Sequence, residues 1–244
     1  MRLVVLVAAA ALARASTLVA QNSPGEVRAF AALRASHIGA LTPLMTPAMV
    51  GRTLNGAQLG VRYGLRDESG VRTQSIAGTA LFGVGIQSSL MLTAGVSDAD
   101  CANCSPAMLL GIGGDMRVYE GGDVVGGGSS LTLAVSGELG YAQLKPDEAF
   151  VLGIGAPITL SLSAGGREGM RVVPYFTPVF GIGQTSAPCP GFMVCDQSGT
   201  RWVLGGGIGI WNPMSSVSAS IGINQVMLSG AKPVFGINVA FGGR

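Results

Sequence analysis

The chain has 244 residues and a formal net charge of +2, and only 11% of its residues are charged, against roughly 25% in ordinary globular domains. Its mean hydropathy is +0.49, yet no unbroken apolar run reaches the ~18 residues that a membrane-spanning helix needs. The small charge and the lack of a basic stripe exclude a nucleic-acid partner. High hydropathy spread over short alternating segments points instead to a membrane β-barrel.

The first residues read as a secretory signal. Arg2 supplies a positive start, Leu3 to Ala13 an apolar run, and Ala13-Arg14-Ala15 or Leu18-Val19-Ala20 a small-residue cleavage site. A signal peptide over 1–20 is therefore expected, in preference to a membrane anchor or a buried helix. Residues 21–54 show no alternation. Glu26 to Leu33 fits a short helix, and Pro43 and Pro47 interrupt the residues beyond it. This stretch reads as a periplasmic lead-in or as a plug inside a barrel, with a loosely ordered lead-in preferred.

From Asn55 onward apolar residues recur at every second position, the period of a strand with two unlike faces. The first strand, about 55–66, sets Leu59, Val61, Tyr63 and Leu65 against Gln58, Gly60, Arg62, Gly64 and Arg66. Further strands are expected at about 75–87, 90–97, 107–118 and 129–142. Tight turns are placed at Ser88-Ser89 and Asn212-Pro213, and polar loops at Asp67 to Gly70 and Lys145 to Glu148. The sixth strand, Val151 to Ser163, is the most regular. Leu152, Ile154, Ile158, Leu160 and Leu162 alternate with Gly153, Gly155, Pro157, Thr159 and Ser161. The seventh, about 171–183, carries Pro174 and Pro178, so it is expected to be bulged, bent or locally open. Strands at about 201–211, 216–227 and 233–242 complete a set of about ten, or eight if two are misread.

A soluble barrel turns a charged face to water and an apolar face inward. Here the polar face holds mainly Gly, Ser and Thr, which suits a crowded inner wall, while lipid requires no charge on the other face. The fold expected is all-β: a closed antiparallel up-and-down transmembrane barrel over 55–244. An even strand number puts both chain ends on one side, and the Cys-bearing loops at 98–107 and 184–200 on the other.

The consecutive alternating strands, the signal segment and the final Val234-Phe-Gly-Ile-Asn-Val-Ala-Phe241 resemble the small bacterial outer-membrane β-barrel family, OmpX-like or OmpW-like in scale. The resemblance covers about 55–242. It implies an outer-membrane location, lipid as surroundings, and the barrel-assembly machinery as a partner. In that family the last strand commonly ends in a terminal aromatic; here Phe241 is followed by Gly242-Gly-Arg244.

The inner face is expected to carry Arg62, Arg66, Asp115, Arg117 and Glu138. These charges form either an interior ion-pair network or the lining of a narrow passage for small solutes, in which Arg62 and Arg66 favour anions. Cys101-Ala-Asn-Cys104 together with Cys189 and Cys195 have the look of a zinc site. An exported chain favours disulfides instead, with local pairs 101–104 and 189–195 preferred and cross-pairing open. No cofactor is implied: Gly111-Ile-Gly-Gly114 and Gly126 to Gly128 precede no helix, so they are not a dinucleotide fingerprint. The single His, His37, lies before the barrel and not near a strand end, where Ser–His or carboxylate–His catalysis would need it, and is assigned no role. The expected function is structural or a passive passage, without catalysis. The alternatives are a surface binding or adhesion module built on the Cys-bearing loops, and a soluble secreted barrel.

Overall fold

A computed structural model of the chain describes residues 33–242, apart from 51–55, 69, 102–103, 123, 126–127, 145–146, 165–168, 189–193, 213–216 and 229. The expected signal segment, residues 21–32 and Cys189 lie outside the described residues. Eleven strands follow one another: β1 (Ala57–Glu68), β2 (Val71–Gly83), β3 (Ser88–Ala99), β4 (Ala107–Gly122), β5 (Ser130–Leu144), β6 (Asp147–Gly155), β7 (Ile158–Ala164), β8 (Met170–Pro188), β9 (Val194–Asn212), β10 (Val217–Val226) and β11 (Val234–Gly242). Among the described residues these are preceded by helical residues at 33–35, a helical turn, α1 (His37–Ala40), and a 3-10 turn at Ala48–Val50.

All pairings are antiparallel. β6 and β7 both lie between β5 and β8, so together they form one stave in two pieces. β1 pairs with β11 from Gln58↔Gly242 to Leu65↔Phe235, which closes a barrel of ten staves. Closure matters because it gives the backbone polar groups of every stave a partner on both sides, with no open edge. The alternation expected from sequence sets the faces. Leu59, Ile154 and Ile237 are each more than half exposed, while Gln58, Arg62 and Asn238 on the opposite face are buried.

Several boundaries differ from expectation. Ser88 and Ser89 open β3 rather than forming the turn; the chain reverses at 84–87, where the Val84 N–H donates to the Ser88 carbonyl at 2.9 Å. Asp147 and Glu148 belong to β6, and Cys195 belongs to β9, opposite Ala187. At Glu68–Val71 the loop shrinks to two residues, with Gly70 at φ +81°, where a side chain would be strained.

The expected irregularity of the proline-bearing strand falls in its partner. β8 runs unbroken against β9, through Pro174↔Ile208 and Pro178↔Leu204. On the other side the ladder is interrupted at Ala156-Pro157, opposite Pro178. Two residues without N–H donors face the same point, and the Pro178 carbonyl accepts from the Ala156 N–H at 3.0 Å.

Residues 33–50 fill the inside. From Leu33 to Val50, all but Arg34, Ala35 and Pro43 are buried. The segment starts beside Glu68, at the far end of β1, where Arg34 pairs with that carboxylate. It ends near the rim at which β1 starts, with Met45 and Val50 packed on Val173 and Trp211. The chain therefore descends through the whole lumen before β1 climbs back in the wall. Apolar inner-wall positions receive it: Leu33 and Ile38 meet Val151, Val203 and Val226, while Leu44 meets Leu81 and Met91.

Candidate functional site

The lumen is the candidate site, and glycines make it passable. Gly64, Gly236, Gly222 and Gly207 stand opposite one another across β1, β11, β10 and β9. A methyl group at Gly64 would strike the Ala40 carbonyl, and one at Gly236 would lie 2.5 Å from the Thr42 hydroxyl. At Gly222 the nearest atom is the Tyr175 hydroxyl, 2.6 Å away, and at Gly207 a methyl group would strike the Ile221 carbonyl of the neighbouring strand as well as that hydroxyl. Absent side chains on the wall thus leave volume for the internal segment and for the Tyr175 ring of β8, which reaches it at Pro43.

An extended segment without sheet partners leaves carbonyls that need donors once buried. The wall supplies them. Arg62 Nη2 donates to the Thr42 carbonyl at 2.6 Å. Asn224 Nδ2 donates to the carbonyls of Ile38 and Leu41 at 2.6 and 2.9 Å. Asn238 Nδ2 donates to the Pro43 carbonyl at 3.0 Å and to the Thr42 hydroxyl at 3.1 Å. The Thr159 hydroxyl donates to the Met49 carbonyl. Each such bond is worth about 1 kcal/mol net, and leaving a buried carbonyl bare costs about 1–3 kcal/mol.

His37 is fully buried. Its imidazole lies against two facing glycines, Gly111 on β4 and Gly140 on β5; a methyl group at Gly140 would sit 2.9 Å from Nδ1. Its Nε2 is 3.2 Å from Glu138 Oε2. Glu138 also lies within the electrostatic reach of Arg62. Asp115 accepts from the hydroxyls of Thr46, on the internal segment, and Ser89, on β3.

The five charges expected on the inner face are thus dispersed along the barrel rather than gathered into a ring. Arg62, Asp115 and Glu138 hold or face the internal segment. Arg66 lies near the far end of β1, where it shares Glu68 with Arg34. Arg117 pairs with Glu120 at 2.8 Å on β4, next to a register shift between Arg117 and Tyr119. Cys101 and Cys104 form a disulfide, with Cα atoms 5.4 Å apart; the expected 189–195 pair includes a residue outside those described.

Sequence reasoning missed His37 and the amides Asn224 and Asn238. The amides are visible as inward positions of alternating strands. Their bonding partners are not, because the segment carries no pattern of its own. A usable signal does exist: Leu81, Met91, Val151, Val173 and Val203 are apolar on an otherwise small and polar face.

No family model and no curated protein matches the chain. Among solved structures it is similar to the translocator domain of autotransporter NalP from Neisseria meningitidis, at 14% identity and a TM-score of 0.29, over 76% of this chain and 86% of that one. The architecture is a closed antiparallel barrel of ten staves with an apolar outward face.

Proposed function

We infer that this chain is a non-catalytic outer-membrane barrel of the small bacterial class, held shut by its own residues 33–50. The filled lumen carries this reading. The segment threads the barrel from one rim to the other, and the space beside it at the level of Asp115 and Glu138 is a cavity of about 30 Å³, the volume share of one water. A passive passage for small solutes then exists only when the segment is displaced, and Arg62 and Arg66 do not select anions in the closed state. The rim where β1 starts and β11 ends is periplasmic, so the chain enters the lumen at the outer rim. Lipid as the surroundings is supported by the apolar outward face, and insertion would require the barrel-assembly machinery.

Planar-bilayer conductance tests this. The wild-type protein is expected to give rare or no current steps. Asn224→Ala with Asn238→Ala, which removes the donors for four segment acceptors, is expected to raise open events at least tenfold. A steady wild-type current would defeat the reading.

A surface binding role is favoured by a different observation. β8 and β9 each run 19 residues, far beyond the ~9–11 needed to cross the membrane. They project a tall hairpin at the same rim as the disulfide-bonded loop, four staves away around the barrel. Its deletion is expected to abolish ligand attachment and leave conductance unaltered.

A further inference from the structure

Opposite the break at Ala156-Pro157, the 30 Å³ cavity has a polar lining made only of oxygen-bearing side chains: Thr46, Ser89, Asp115, Ser136, Glu138 and Thr177. We propose that it is a binding site for one hard divalent cation of the calcium type, which ties the internal segment to the barrel wall. The proposal rests on the reading that residues 33–50 occupy the lumen, since Thr46 belongs to that segment.

Two independent features point to a ligand. The first is the charge arrangement. Asp115 is 8% exposed, and its contacts are the hydroxyls of Thr46 and Ser89 rather than a cation. Glu138 is close enough for the two carboxylates to repel. Glu138 has the His37 Nε2 at 3.2 Å, and the nearby Arg62 places its Nη2 on the Thr42 carbonyl, so Asp115 is the carboxylate with hydroxyl partners alone. The second is Thr177. It is only 5% exposed, on the inner face of β8, and its hydroxyl has no hydrogen-bond partner among the described residues. It lines the same cavity. A buried hydroxyl is ordinarily satisfied, and a cation would take its lone pair.

The donor chemistry narrows the class. Carboxylate and hydroxyl oxygens suit hard ions, and the two thioethers that also line the cavity, Met49 and Met91, are soft ligands that such an ion leaves unused. Calcium accepts six to eight oxygens at irregular angles, whereas magnesium demands a near-ideal octahedron and parts reluctantly with its water. Ligands drawn from several strands and an extended segment offer the irregular case.

The test is isothermal titration of the full-length folded barrel in detergent with calcium chloride after chelator treatment. Heat-modifiable gel mobility confirms that each sample is folded. The expected result is close to one calcium per chain, weaker magnesium binding, and at least a tenfold loss of affinity in Asp115→Asn and in Glu138→Gln. Thr177→Val leaves both carboxylates in place and serves if the acidic variants do not fold; it is expected to lose severalfold. A folded wild-type barrel that takes up no calcium, or variants that bind as wild type does, would overturn the proposal. A barrel that conducts steadily yet binds calcium with these losses would defeat closure and leave the site standing.

Discussion

At the scale of single residues, His37 shows how the segment is seated. The imidazole needs the absence of two side chains, at Gly111 and Gly140, and the presence of one, Glu138. Gly140→Ala puts a methyl group 2.9 Å from Nδ1, an overpacking that costs about 1–3 kcal/mol. His37→Ala removes the ring that the methyl group strikes. The double variant is therefore expected to be more stable than the sum of the two single losses by over ~0.5 kcal/mol, read from denaturant midpoints. Strict additivity would mean that the imidazole does not occupy this niche. His37 is unreadable in the sequence because a niche made of glycines leaves no trace in a chain where Gly recurs on so many strands.

At the scale of elements, the strands are legible wherever lipid imposes two unlike faces. Val151 to Ser163 keeps its alternation through the break: Val151, Gly153, Gly155, Pro157, Thr159 and Ser161 are buried, and the residues between them are not. Legibility stops where lipid stops. The stretch Gln184 to Thr200 has no two-residue alternation and carries Pro188, Pro190 and Gly191, so it reads as a loop, although β8 and β9 pair through most of it. The internal segment has no period to find, because it pairs with no strand and is held through backbone carbonyls. The disulfide at Cys101–Cys104 is local to one connection between β3 and β4. Closing so short a loop contributes at most about 2 kcal/mol. Replacing both cysteines with serine is expected to leave heat-modifiable mobility and conductance unchanged; collapse of the barrel in that variant would show that the loop governs folding.

At the scale of the whole molecule, two features define the protein: an apolar exterior and an occupied interior. The exterior makes a prediction that a soluble barrel would not share. Ile237 lies outward near the middle of β11 and is 53% exposed. Ile237→Arg is expected to destabilise the barrel in lipid bilayers by about 2–4 kcal/mol, whereas the same change on a water-facing surface is nearly neutral. An unchanged unfolding midpoint in bilayers would argue against lipid contact at this face. The interior is tested most directly by a covalent link across the lumen. A methyl group at Gly209 would lie 2.8 Å from the Met45 sulfur, and residue 209 tolerates the change once Met45 is shortened. With the four native cysteines replaced by serine, Met45→Cys with Gly209→Cys is expected to form an intramolecular disulfide in the folded barrel in high yield. Met45→Cys paired with Ile210→Cys, whose side chain points outward, is expected to form none. Equal cross-linking of both pairs, or none in either, would contradict a lumen filled by residues 33–50.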